Sequence, residues 1–109
     1  MADKSWKSWE RRVAKLFGCK RRGADFRGEN GGKDDLTHAW YSVEIKLLSR
    51  PCFADMLAAC KQAEGAAPVP VGNGDYVMRE PIAIVKKKGS LDDDALVIQR
   101  LGSFKAWHF

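Results

Sequence analysis

The sequence lacks the features of exported, membrane-spanning and disulfide-bonded proteins. Its three cysteines, Cys19, Cys52 and Cys60, contain no CxxC pair and are odd in number, so they favour neither a zinc site nor a disulfide framework. No stretch approaches the roughly 20 apolar residues that a membrane span needs, and the first residues lack the apolar segment of a signal peptide. We therefore expect a cytoplasmic protein that has no membrane partner.

Internal repeats and low-complexity segments are also missing. The chain has 109 residues, of which 45% are hydrophobic and 30% are charged. This composition is typical of a globular protein and not of a disordered one. The length is too short for two independent cores, which predicts one domain over residues 1–109.

Positive charge is distributed unevenly along the chain. The net charge is +5, and residues 1–50 hold 12 Lys and Arg against 7 Asp and Glu, whereas residues 51–109 hold 7 of each. The whole excess therefore lies in the N-terminal half. A basic surface attracts polyanions, of which nucleic acid is the common one, although a merely solubilising surface has the same charge.

Hydrophobic periodicity predicts an α/β domain with a mixed sheet flanked by helices. Apolar residues recur at helical spacing in two segments and alternate in others. The predicted elements are a helix over 5–17, a hairpin of two strands over 35–48, a helix from Ser49-Arg50-Pro51 to Gly65, a loop over 66–75, and strands over 81–87 and 95–101. The apolar tail after them is predicted to pack on the domain or on a second subunit.

The strand around Glu44 and Lys46 places two opposite charges on one face. Side chains at i and i+2 of a strand point the same way, and a hairpin would bring Asp35 beside Glu44. Two carboxylates that close repel each other unless a proton or a cation lies between them. Mg²⁺ binds such hard oxygen ligands and retains several waters, so the pattern predicts a magnesium site, with Mn²⁺ as a substitute.

Glu10 is the one charged residue on the apolar side of the first helix. Burying an unpaired carboxylate costs several kcal/mol, so we expect an Arg, a Lys or a metal to neutralise it. A helix packed over the hairpin would aim Glu10 at Asp35 and Glu44. Phosphodiester hydrolysis is the chemistry that such a group suits, because metal ions activate water and Lys46 can stabilise the developing charge. The backbone carbonyl of Ile45 would add one metal ligand.

The pattern D-(x8)-E-I-K, preceded by a Glu on an amphipathic helix, resembles the PD-(D/E)xK nuclease superfamily. The compact size is similar to that of the Holliday junction resolvases of archaea and bacteriophages. The resemblance runs from about Trp6 to Gln62 and implies a restriction-endonuclease-like fold. It also implies metal binding by Glu10, Asp35 and Glu44, with Lys46 as the catalytic lysine. The superfamily has Pro before the Asp where this chain has Asp34; Asp35 is preferred as the ligand because apolar Leu36 follows it.

The resemblance implies a Mg²⁺-dependent endonuclease of DNA recombination or repair that cuts four-way junctions as a homodimer, since symmetric cutting needs two active sites. A phage or prophage origin, and hence the host cytoplasm, follows by the same analogy. The Gly-rich loop after the first helix supplies basic residues suited to phosphate contacts. The predicted DNA contacts are Lys20, Arg21, Arg22, Arg27, Lys33, Arg50 and Gln62.

Simpler interpretations exist for each motif. Glu44 and Lys46 can be an exposed charge pair on a solvated face, and Asp34-Asp35 can be part of a turn. Glu10 can pair with an Arg or with a Trp indole. The whole chain can also be a repair or restriction-type nuclease with the same site, or a non-catalytic nucleic-acid-binding module whose acidic residues are structural.

Overall fold

Three strands form a mixed sheet at the centre of the fold. The computed structural model describes residues 4–20 and 35–109. Strand β1 (Tyr41–Leu48) pairs in parallel with β4 (Glu80–Lys87), and β4 pairs antiparallel with β5 (Leu96–Ile98). The order β1-β4-β5 makes β1 one edge of the sheet. A separate hairpin consists of β2 (Pro68–Gly72) and β3 (Asp75–Met78).

Helix α1 (Lys4–Leu16) covers one face of the sheet. Its apolar side, which includes Trp9 and Val13, packs against the β1 residues Val43 and Ile45. Ile82 and Ile84 of β4 lie beside them in the parallel register and belong to the same core. The helical periodicity of the sequence therefore predicted α1 and the burial of Trp9 and Val13. It was wrong for Leu16, which follows the same spacing but is 81% exposed.

Helix α2 (Phe53–Gly65) covers the opposite face. Ala59 and Cys60 pack against Ala83 and Val85 of β4 in a second buried cluster. The hydroxyl of buried Ser42 donates a hydrogen bond to the carbonyl of Ala63 at 2.7 Å. Both faces of β1 are therefore covered, which makes the structure a compact α/β fold with helices on both sides of a mixed sheet.

The segment before β1 differs from the predicted hairpin. Residues 35–40 do not form a strand; only Leu36 makes a bridge, where the Asp35 amide donates to the Val43 carbonyl at 2.9 Å. The ring nitrogen Nδ1 of His38 accepts the amides of Trp40 and Tyr41 at 3.1 and 3.2 Å. This turn ends the pairing early, but it still returns Asp35 to the side of β1.

Three other predicted elements need correction. Ser49 does not cap α2, which begins at Phe53 after Cys52. The predicted loop over 66–75 contributes to the β2–β3 hairpin, whose turn uses left-handed backbone at Asn73 and its glycine neighbours. The predicted strand over 95–101 ends at Ile98, and the tail forms helix α3 (Leu101–His108).

In the part of the chain that the structure describes, no helix has both the length and the apolar character needed to cross a membrane.

Candidate active site

A cavity of about 290 Å³ opens at the outer edge of β1, where α1, α2 and the residue before the bridge meet. Its lining includes the acids Glu10, Asp35 and Glu44 together with Lys46. Three acidic residues and one lysine therefore line one small cavity. The remaining lining residues are Trp6, Trp9, Ile45, Leu47 and Gln62.

Asp35 is held on the edge of β1 by its backbone and by its side chain. Its amide donates to the Val43 carbonyl, and its Oδ2 accepts the Ile45 amide at 2.7 Å. The side chain is therefore fixed beside the strand, and the residue is only 4% exposed. Since the N–H and C=O of one strand residue point to the same side, the Ile45 carbonyl also faces this edge.

Glu44 and Lys46 lie on the same face of β1, as their spacing predicted. Lys46 Nζ is 3.3 Å from Glu44 Oε2. The Glu44 residue is 7% exposed, whereas the Lys46 side chain is 32% exposed. The interpretation of the two residues as a solvent-exposed charge pair is therefore wrong, because Glu44 is buried and Lys46 is only partly exposed.

Glu10 comes from α1 and is 8% exposed. It lies on the helix beside Trp9, which is buried and whose indole nitrogen donates to the Lys46 carbonyl at 3.2 Å. This hydrogen bond joins α1 to the strand that carries Glu44 and Lys46. The packing of α1 on the sheet therefore brings Glu10 to the cavity that Asp35 and Glu44 line, as the sequence predicted.

Three charged residues form an ionic network next to the Trp9 ring. The ammonium of buried Lys86 lies 5.1 Å from the centre of the Trp9 ring and 2.6 Å from Asp92. Arg12 also contacts that ring, and it binds both oxygens of Asp92, at 2.7 and 3.0 Å. The Arg12 guanidinium and the Lys86 ammonium hold the pKa of the Asp92 carboxyl well below its usual range.

The acidic side chains do not form a ready-made metal cluster. Among residues 4–20 and 35–109, no three acidic, histidine or cysteine side chains lie close enough together to hold a metal ion as they stand. The lining nevertheless offers oxygen donors of the type that Mg²⁺ prefers, namely carboxylates and one backbone carbonyl. The donor set therefore fits a hard divalent cation by its chemistry.

The other predicted contacts are distributed differently. Gln62 lines the cavity from α2, and its side chain lies at an exposed position. Arg50 is exposed and does not line the cavity, and Lys20 lies in a separate groove beside α1. The remaining predicted DNA contacts, Arg21, Arg22, Arg27 and Lys33, lie outside the described residues, as does Asp34.

The role of Arg79 was not predicted from the sequence. This residue is 3% exposed, and its guanidinium donates to carbonyls of Ala66, Ala67, His38 and Tyr41. It therefore joins the end of α2 to the turn that returns the chain to β1. No hydrophobic pattern marks such a residue, because its partners are backbone carbonyls from two distant segments.

Comparison with known proteins adds no relative. No protein-family model, no curated protein and no solved structure matches this chain.

Proposed function

We propose that this protein is a metal-dependent DNA endonuclease and, within that class, a Holliday junction resolvase. The observation that supports the proposal is the cavity at the outer edge of β1. It gathers Glu10, Asp35, Glu44 and Lys46 from separate parts of the chain. Such a set suits the hydrolysis of a phosphodiester, because carboxylates can hold a metal ion that activates water and a lysine can stabilise the developing charge.

The residues that would hold the metal are Glu10, Asp35 and Glu44, with the Ile45 carbonyl as a further donor. A bound Mg²⁺ or Mn²⁺ supplies an activated water and offsets negative charge on the phosphate. The Ile45 amide fixes one Asp35 oxygen at 2.7 Å, which orients this carboxylate before any ligand arrives. A donor that is already oriented loses little conformational freedom on binding.

Lys46 would act on the substrate. Lys46 lines the cavity, its ammonium lies 3.3 Å from Glu44, and about a third of its side chain is exposed. From this position it can donate to the attacking water or to a phosphate oxygen on which charge develops. Such donors typically contribute about 100- to 1000-fold to a rate when they are pre-organised.

The same proposal includes a restriction-endonuclease-like arrangement of the fold. Helices α1 and α2 cover opposite faces of the mixed sheet, and the candidate site lies on an edge strand between them. This arrangement leaves the cavity open to a large substrate at the side where no strand beyond the Leu36 bridge covers β1 in the described residues.

A resolvase makes paired cuts and therefore needs two active sites, which implies a homodimer. Large apolar side chains are exposed at the opposite edge of the sheet, on β5, on α3 and at Phe109, which follows α3. Val97 and Leu101 are 65% and 69% exposed, and Phe109 is 89% exposed. We propose that this apolar edge forms the contact between two copies, while the β1 edges of both remain available for DNA.

Cleavage of a labelled four-way junction and of a linear duplex with the same arm sequence tests the proposal. We expect paired nicks in the junction with Mg²⁺ or Mn²⁺ and none with EDTA. Comparable cutting of the linear duplex would favour a repair or restriction-type nuclease with the same site. Binding without cutting in either metal would favour a non-catalytic module and would reject the nuclease proposal.

A matched pair of variants connects cleavage to the cavity. Glu44→Gln removes a charge with little change in volume, and we expect it to abolish cutting while the circular dichroism spectrum is retained. Asp75→Asn makes the same kind of change at an exposed position of the β2–β3 hairpin. Activity should be unchanged in Asp75→Asn; equal activity in the two variants would place the chemistry elsewhere.

A further inference from the structure

The exposed side of α1 has a basic residue at every fourth position, namely Lys7, Arg11 and Lys15. Four residues of an α-helix rise by about 6 Å, so the three cations follow the axis over about 12 Å. All three are exposed. A linear series of charges is suited to a linear polyanion more than to a single small anion.

The series borders the candidate active site. At about 100° per residue, Lys7, Arg11 and Lys15 lie about 60°, 100° and 140° around the helix from Glu10, all on the same side of it. Glu10 itself lines the cavity at the β1 edge. A polymer that follows the cations is therefore brought close to the cavity.

A groove extends the series beyond the end of the helix. It has a volume of about 400 Å³ and is lined by Arg11, Lys15 and Lys20 among small residues. Those small residues are Ala14, Gly18 and Cys19. Because their side chains are short, a bulky ligand such as a sugar-phosphate chain can approach the three cations.

These cations differ from their neighbour Arg12. Arg12 is bonded to Asp92 and to Ser8, at 2.7 and 2.9 Å. Among residues 4–20 and 35–109, by contrast, Lys7, Arg11 and Lys15 form no ion pair with an acidic side chain. The Lys7 ammonium lies 5.6 Å from the centre of the Trp6 ring, but no acidic side chain of the described residues neutralises any of the three charges, so they are available to a polyanion.

We propose that the basic stripe, defined as Lys7, Arg11, Lys15 and Lys20, binds the phosphate backbone of DNA and guides one strand past Glu10 to the cavity. A membrane surface fits less well, because helices that bind membranes insert an apolar face and α1 buries Trp9 and Val13 against the sheet. The choice of DNA over RNA rests on the proposed nuclease function.

Fluorescence anisotropy of a labelled four-way junction, measured in EDTA so that no cutting occurs, tests the stripe. We expect Lys7→Ala/Arg11→Ala/Lys15→Ala to raise Kd at least about tenfold at low salt. We also expect the slope of log K against log salt concentration to fall by about 2–3, since each lost phosphate contact lowers it by about 0.9. The matched control Lys87→Ala/Lys88→Ala/Lys105→Ala removes three exposed charges elsewhere, and it should lower the slope by less than one.

A second variant tests whether the loss of affinity comes from the lost charges or from a disturbed fold. Lys7→Arg/Arg11→Lys/Lys15→Arg keeps every charge and should bind as the wild type does, with the wild-type salt slope. If this variant lost as much affinity as the alanine variant, or if the salt slope of the alanine variant were unchanged, the proposal that the basic stripe binds DNA would be rejected. Tighter binding to phosphatidylserine vesicles or to a matched RNA would overturn DNA as its partner.

Failure of the stripe and failure of the nuclease are distinguishable. A wild type that cuts DNA while the alanine variant binds normally would reject the stripe and keep the nuclease. A wild type that binds through the stripe but never cuts would support the stripe as a DNA-binding surface and reject the nuclease.

Discussion

The two edges of the sheet differ in what they expose. The β1 edge holds buried acids, a partly exposed lysine and a cavity between two helices. At the β5 edge the side chains of Leu96 and Val97 are exposed, and the adjoining helix α3 has no buried residue. Buried acidic residues therefore lie at the β1 edge, and exposed apolar residues lie at the β5 edge. Exposed apolar residues also occur elsewhere, at Leu16, Trp40 and Phe53.

This separation has a physical reason. An ionised site needs surrounding protein to orient its groups, and β1 obtains it from α1 on one face and α2 on the other. At the β5 edge, exposed apolar side chains can be removed from water by a second copy. The comparison predicts that changes at each edge affect one property and leave the other intact.

The largest expected effect is at the β1 edge. Lys46→Ala should lower the cleavage rate by about 100- to 1000-fold because it removes the ammonium donor of a cavity-lining residue. Junction affinity in EDTA should change little, since Lys46 is one cation among many. Single-turnover cleavage and anisotropy measure the two properties; wild-type cleavage by this variant would show that Lys46 takes no part in the reaction.

A smaller effect on activity is expected at the β5 edge. Val97→Lys/Leu101→Lys places like charges at the proposed contact and should convert a dimer to a monomer in sedimentation experiments. Junctions should then receive single nicks in place of paired cuts, while nicking of each strand continues. The substitution Asp75→Lys, at an exposed position outside this edge, is the control. If the wild type is a monomer, the proposal that the apolar edge forms a dimer contact is rejected.

The smallest effect concerns stability behind the cavity. The pKa of Asp92 is lowered by Arg12 and Lys86, so its ionised form stabilises the fold above the unfolded pKa of about 4. That stabilisation is lost as the pH falls below this value towards the folded pKa. Asp92→Asn should therefore lower Tm by a few degrees at pH 7, and the difference from wild type should shrink below about pH 4.

Asp93→Asn is the matched control for this measurement. Asp93 lies in the same short turn, Asp92–Asp94, and is exposed. Within the described ranges Asp93 has no ion pair. The Tm of the Asp93→Asn variant should therefore equal that of the wild type at every pH. An equal loss in both variants would assign the effect to the turn and not to the Asp92 network.

Strong periodicity made much of the fold predictable from sequence. The apolar side of α1 and the alternation around Glu44 predicted two elements and the burial of Trp9, Val13, Val43 and Ile45. Alternation did not predict that the opposite face of β1, with Ser42 and Glu44, is buried as well. The same patterns predicted that Glu10, Asp35, Glu44 and Lys46 would share one place, and the cavity contains all four. Their roles in metal binding and catalysis stay predictions.

Other features lay beyond such patterns. Strand β2 was predicted as a loop because it contains Pro68 and Pro70, and proline is rare within strands. The sequence Gly72-Asn73-Gly74 is typical of a tight turn and could have indicated the hairpin. The start of α3 was not predicted because Gly102 lies in its first turn, and glycine is unfavourable within helices. Arg79 gave no signal because its contacts are made with carbonyls that only the completed fold brings together.

The parallel register of β1 with β4 has a consequence for folding. Tyr41 lies opposite Glu80 and Leu48 opposite Lys87, so β1 cannot acquire its neighbour until α2 and the hairpin have been synthesised. Closing so long a loop is slow compared with forming a local contact. A ribosome-bound fragment that stops before β4 would therefore contain every acid of the cavity and yet lack the strand needed to assemble it.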